Sequence, residues 1–179
     1  MMPCISSFIL KKRVMSLKKL IGNYSSFNYW ANVKIVNWLS AVPVEKMYAP
    51  VSSSFASIDY TLQHMLRTQR FWLAFINERD TSGVNWSIRE NEADKIMKEL
   101  VEVSAEMKDT FSVFTDKQLE ELLQLDMPWA KNRLSRYEYI VHIVNHGSFH
   151  RGQIITIARS IGLTEGVVNT DYNMFHIHH

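Results

Sequence analysis

The residues predict an all-α protein, a four-helix bundle. Three observations carry that expectation. Apolar residues recur at three- and four-residue steps through four long segments, Pro and Gly rather than alternating strands punctuate the connections, and a helix-start signature precedes the last segment.

In the first segment Leu17, Leu20, Ile21, Tyr24, Phe27, Ala31, Ile35, Trp38 and Leu39 form one apolar stripe, which predicts a first helix over Ser16 to Ser40. Pro43 and Pro50 interrupt the chain, and Ser52-Ser53-Ser54 offers N-caps for a second helix over Phe55 to Glu78. Its stripe is Ile58, Leu62, Met65, Leu66, Gln69, Leu73 and Ile76, with His64 at the edge. Asp80-Thr81-Ser82-Gly83 ends it, and a loop with Trp86 follows. Ala93, Ile96, Met97, Leu100, Val103, Met107, Phe111 and Phe114 then predict a third helix over Asn91 to Phe114. Asp116 to Leu125 suits a short helix or a buried extended piece, and Asp126-Met127-Pro128-Trp129 breaks the pattern. Ser135-Arg136-Tyr137-Glu138 reads as a capping box opening a fourth helix that runs to about Ser160, with Gly162 as its C-terminal cap.

The fourth helix carries His142, His146 and His150. A step of four residues on a helix advances about 40° and one turn, so the three share a face. Two imidazoles one turn apart can point at a common atom about 2.0–2.1 Å from each nitrogen, the recurring helical grip on a metal. A further ligand must come from elsewhere, and His64 is the remaining mid-chain histidine. His176, His178 and His179 stand at the C-terminus, where a frayed tail over 176–179 is expected.

At 179 residues with 46% hydrophobic and 12% aromatic side chains, a single domain with a sizeable core is expected. No run of about 18 uncharged apolar residues exists, so no membrane partner is expected. The formal charge of +2 owes much to Lys11, Lys12, Arg13, Lys18 and Lys19, and the remainder is near neutral, which argues against nucleic acid. Cys4 is the one cysteine, so no internal disulfide forms and a reducing cytoplasm is expected. Residues 1–15 are expected to be a disordered leader, or an extension upstream of a true start at Met15. The domain is placed at 16–175.

Tyr137, Val141, Val144 and Ile155 lie opposite the histidines, so the fourth helix is apolar nearly all round. Such a helix is central or covered by a second copy, and a homodimer is expected. Arg151 points away from His146, which suggests an ion pair or a dimer contact, and Gly152 suggests close helix packing. Tyr29, Trp30, Trp72 and Phe149 read as core, whereas Trp86 and Trp129 sit in loops at a possible site mouth.

Three neutral imidazoles leave a divalent metal its full charge and one open position in a tetrahedral site. Zinc suits such a set best, and nickel, cobalt and iron also accept imidazole. His146-Gly147-Ser148-Phe149-His150 lacks the glutamate of His-Glu-x-x-His, which removes the zinc-protease reading. A metal can instead hold a thiol as thiolate, and with no core cysteine that thiol would arrive as a low-molecular-weight cosubstrate.

Asn145-His146-Gly147-Ser148-Phe149-His150-Arg151-Gly152-Gln153-Ile154, together with Ser57-Ile58-Asp59-Tyr60-Thr61-Leu62-Gln63-His64 and Trp72, resembles the DinB/YfiT-like metalloenzyme family. The resemblance spans roughly Leu17 to Tyr172, and His-Arg-Gly-Gln is its most specific part. It implies an up-down-down-up bundle with a metal between helices two and four, held by His64, His146 and His150. His142 and Gln153 then become supporting residues around the ligands. The family includes thiol-dependent S-transferases and isomerases, so the expected activity is transfer of a small thiol to an electrophilic small-molecule substrate. The reactive group would be a metal-bound water or thiolate. Two alternatives are a hydrolase using metal-bound hydroxide and a non-catalytic, metal-stabilised bundle that binds a small ligand.

Overall fold

The computed structural model describes residues 15–177. Cys4, most of the expected leader, and His178 and His179 lie outside the described residues.

Four long helices form the bundle: α1 (Leu17–Leu39), α3 (Ile58–Ile76), α4 (Ala93–Val113) and α6 (Arg136–Ser160). Between them lie the short α2 (Val44–Met47) and α5 (Asp116–Glu120), and α7 (Tyr172–Ile177) closes the described chain. The sequence placed all four long helices to within about three residues of their ends. It missed a hairpin. Strands β1 (Leu122–Met127) and β2 (Ala130–Ser135) pair antiparallel from Leu122 opposite Ser135 to Met127 opposite Ala130, so the pattern break at Pro128-Trp129 is its two-residue turn.

Each helix that matters for the site starts on a serine. The Ser57 hydroxyl accepts the Tyr60 N–H at 3.1 Å to open α3. At the head of α6 the Glu138 carboxylate takes the Ser135 backbone N–H at 2.8 Å and its hydroxyl at 2.6 Å, and those bonds hold the Glu138 carboxyl below its usual range. The far end of α6 stops as expected: Gly162 adopts φ +85°, its N–H reaches the Arg159 carbonyl at 3.1 Å, and the Leu163 N–H reaches that of Ala158 at 2.9 Å.

Side-chain pairs fix the helix directions. Along α1 and α6, Tyr24 meets Asn145, Asn32 meets Arg151 and Trp38 meets the Glu165 carbonyl, so both numbers rise together and the helices are parallel. Arg70 with Glu99 and Arg79 with Glu106 make α3 and α4 parallel in the same way. His64 lies against His146 whereas Trp72 lies against Tyr139, so α3 and α6 are antiparallel. The result is an up-down-down-up bundle in which α1 neighbours α4 and α6, and α3 neighbours the same two.

Arg136 fastens the end of this bundle away from the histidines. Buried, it donates to the Ile76 carbonyl at the end of α3, to the Gln118 carbonyl of α5 at 3.0 Å, and to Glu78 and Glu121 at 2.8 and 3.1 Å. A guanidinium at a helix C-terminus answers both the free carbonyls and the negative end of the dipole. The buried Tyr139 hydroxyl then reaches the carbonyls of Leu123 and Asn132, pinning the hairpin to α6. Among the described residues no helix is long and apolar enough to cross a membrane.

Candidate metal centre

The inward stripe of α3 sinks Leu62, Met65 and Leu66 into the core, which leaves His64 on the flank that faces α6. From α6, His146 and His150 meet it. The three Nε2 atoms converge: His64 to His146 is 3.0 Å and His150 to His146 is 3.1 Å. All three ligand atoms lie within 4.8 Å of one another. Tetrahedral bonds of about 2.0–2.1 Å place donor atoms about 3.3 Å apart, so the spacing matches a shared ion closely.

The protons are arranged to suit. Gln153 Oε1 lies 2.6 Å from His150 Nδ1, and the Gln153 amide nitrogen donates to the Ser54 hydroxyl at 3.2 Å. With its oxygen turned to the ring, Gln153 accepts the Nδ1–H, and His150 Nε2 is left as a bare lone pair aimed at His146. Burial is the main reason the imidazoles stay neutral. It pulls His64 and His146 down to about 4, assisted by the neighbouring imidazoles and, at His64, by Arg67. His150 is also lowered by burial, with Gln153 opposing. Three neutral rings with their Nε2 atoms crowded on one point form a group that could hold a metal ion.

Around the trio, Phe55 stacks on His64 with ring centres 4.5 Å apart and meets His150 edge-on at 5.6 Å. His142 stacks 5.9 Å from His146 and presses edge-on against Trp72 at 4.9 Å, with its outer side exposed. Among the described residues no carboxylate joins the three-histidine group.

Three sequence expectations change. Among the described residues Arg151 makes no ion pair: it is fully buried, donating to Asn28 at 3.1 Å, Asn32 at 2.9 Å and Ser148 at 2.9 Å. Burial draws its guanidinium down to about 9, where it still carries its charge at neutral pH. Gly152 packs against nothing, for no atom stands within 4 Å of a Cβ placed there. The close approach is at Gly147, where such a Cβ would meet Arg151 Nη1 and Asn28 Oδ1, each at 2.9 Å. Phe149 is not core but 62% exposed, beside His150. Phe55 and Ser54 were missed as site residues, since the sequence used them only as the start of a helix.

The sequence profile of the DinB family matches residues 15–177. Protein DinB of Bacillus subtilis strain 168 is 27% identical over 157 residues, covering 83% of this chain and 89% of its own. A DinB-like protein from Bacillus cereus ATCC 10987 superimposes with a TM-score of 0.58 at 18% identity, covering 78% of this chain and 91% of that one. A DinB-like protein from Bacillus subtilis gives 0.59 at 15% identity, covering 82% and 94%. At those identities the two structures speak for the fold alone.

Proposed function

The chain belongs to the DinB family, and from that membership and the converging histidines we propose that it is a metal-dependent enzyme transferring a small thiol to an electrophile. The observation that carries the proposal is the meeting of three Nε2 atoms from two antiparallel helices at 3.0 and 3.1 Å. His64, His146 and His150 would hold a divalent transition metal, zinc before nickel, cobalt or iron on the all-imidazole donor set. When bound, the metal supplies Lewis acidity that favours the thiolate form of a thiol near neutral pH.

The chain's own residues supply position. Gln153 fixes the His150 ring and its tautomer, and Phe55 covers one side of His64. Among the described residues there is no cysteine, so the sulfur comes from a cosubstrate. The thiol releases its proton to solvent, the sulfur forms the new bond to carbon, and the leaving group departs with the electrons of the bond it breaks. A homodimer in the cytoplasm completes the proposal, the compartment supported by the single cysteine.

The test is metal content by elemental mass spectrometry. The full chain, with His176, His178 and His179 changed to Ala, is purified without chelating resin beside the same protein carrying His64→Ala and His146→Ala. About one equivalent in the parent and little in the variant supports the site, and thiol-dependent turnover of a model electrophile supports the reaction. Turnover without thiol moves the reading to hydrolysis. Parent protein that takes up neither zinc nor nickel removes it.

A further inference from the structure

Beside the three histidines lies a surface that the proposed chemistry leaves unused. Trp86, on the loop after α3, and Trp129, at the hairpin turn, are distant in sequence yet converge, and they are 50% and 59% exposed. Both pack on Phe71, with ring centres 6.2 and 5.7 Å away. Trp129 also meets Trp72 edge-on at 6.1 Å, and Trp72 meets His142, which stacks on His146. Ring contacts through buried Phe71 and Trp72 therefore connect the two exposed indoles to the ligand set.

Arg67 stands at the same end of α3. Its Nη1 donates to the Trp86 carbonyl at 2.8 Å and its Nη2 to Gln63 at 2.5 Å. The direct ion pairs of α3 and the loop after it are made by Arg70, Arg79 and Arg89, whereas Arg67 makes none among the described residues and has buried Asp59 as its opposite charge, relayed through Gln63. Two large indoles left half in water and edged by an oriented guanidinium that makes no direct ion pair form a surface suited to a flat apolar body with an anionic end.

We propose that the exposed faces of Trp86 and Trp129, with Arg67 at their rim, are the subsite for the electrophile and take a planar aromatic or conjugated molecule bearing a carboxylate or sulfonate. The inference rests on the three histidines being the reacting centre. Stacking on the indoles supplies affinity, the fixed guanidinium supplies orientation, and the end of the molecule nearest His142 is the end that meets the thiol.

Isothermal calorimetry with naphthalene-1-sulfonate tests it on the full chain, zinc-loaded and metal-free. Naphthalene-1-methanol serves as the neutral probe and cyclohexanesulfonate as the non-planar one. The sulfonate is expected to bind, with Trp129→Ala weakening it about tenfold and Trp129→Phe restoring most of it. Arg67→Gln is expected to weaken the sulfonate about tenfold and leave the alcohol unchanged. No binding of naphthalene-1-sulfonate to the parent overturns the inference, as does binding indifferent to both substitutions or matched by cyclohexanesulfonate. Probe binding by protein that takes up no metal would sink the proposed function but leave a planar-anion site. Thiol transfer by protein that ignores the probe would do the reverse.

Discussion

Two glycines five residues apart on α6 are expected to respond to alanine with opposite signs. At Gly152 a Cβ meets nothing within 4 Å, so Gly152→Ala adds only helix propensity and stabilises by about 0.5–1 kcal/mol. Gly147→Ala gains the same propensity, but its Cβ falls 2.9 Å from both Arg151 Nη1 and Asn28 Oδ1. Both atoms are side-chain ends that would ordinarily swing aside. Here they are bonded to each other in the core at 3.1 Å, and Nη1 is tied to Asn32 as well, so moving either breaks a buried bond to a charged group. Such a bond is worth about 1.5–3 kcal/mol. The net expectation for Gly147→Ala is a loss of about 0.5–2.5 kcal/mol, leaving a gap of about 1.5–3 kcal/mol between the two variants, since the propensity gain is common to both. Urea unfolding in chelator, followed by far-ultraviolet circular dichroism, reads it without any contribution from metal. If Gly147→Ala proves as stable as Gly152→Ala, the Asn28–Arg151 contact is not holding α1 to α6.

Further outcomes follow from the site. Gln153→Leu is expected to lower zinc affinity about 10- to 100-fold in a competition with a chelating dye, because His150 loses the acceptor for its Nδ1–H. Zinc at a hundred times its dissociation constant is expected to stabilise the folded chain by about 2.7 kcal/mol in thermal unfolding, and His64→Ala to abolish the gain. The pH dependence of the metal-free protein has a definite sign. His64 and His146 bind protons more weakly folded than unfolded, so their contribution is complete above about 6.5 and is lost as pH falls towards about 4. Buried Asp59 is raised by burial and acts in the opposite sense, so the measured quantity is the difference between parent and His64→Ala in urea titrations at pH 7.5, 6 and 5. A difference that does not change with pH would show that the imidazoles are not desolvated.

The four long helices were legible because each turns one continuous stripe inward, and period 3.6 is visible in a single chain. The hairpin was not, for a physical reason. β1 does alternate, Leu123 and Leu125 buried between exposed Gln124 and Asp126, but the run is short, and β2 sets Lys131, Asn132 and Arg133 in solvent, so no second alternating segment marks its partner. His146 and His150 could be paired from their spacing, but their partnership with His64 came from family resemblance, since no local rule tells which face of α3 meets α6. Arg151 shows the limit most clearly. Its direction on the helix was readable, yet its partners Asn28 and Asn32 lie 123 and 119 residues away, on a helix whose polar residues looked like gaps in an apolar stripe.

The chain path gives the histidine site a mechanical meaning. His64 and His146 are 82 residues apart, and α4, α5 and the hairpin all fall between them. An ion joining those two rings fastens nearly half of the chain into a closed loop, a clasp in a protein whose described residues contain no cysteine for a disulfide. Loop-closure entropy grows with loop length, though only logarithmically, so a clasp this long restricts the unfolded chain somewhat more than a short one would. Release of the ion would then be felt as faster amide exchange along α4, which supplies none of the three histidines.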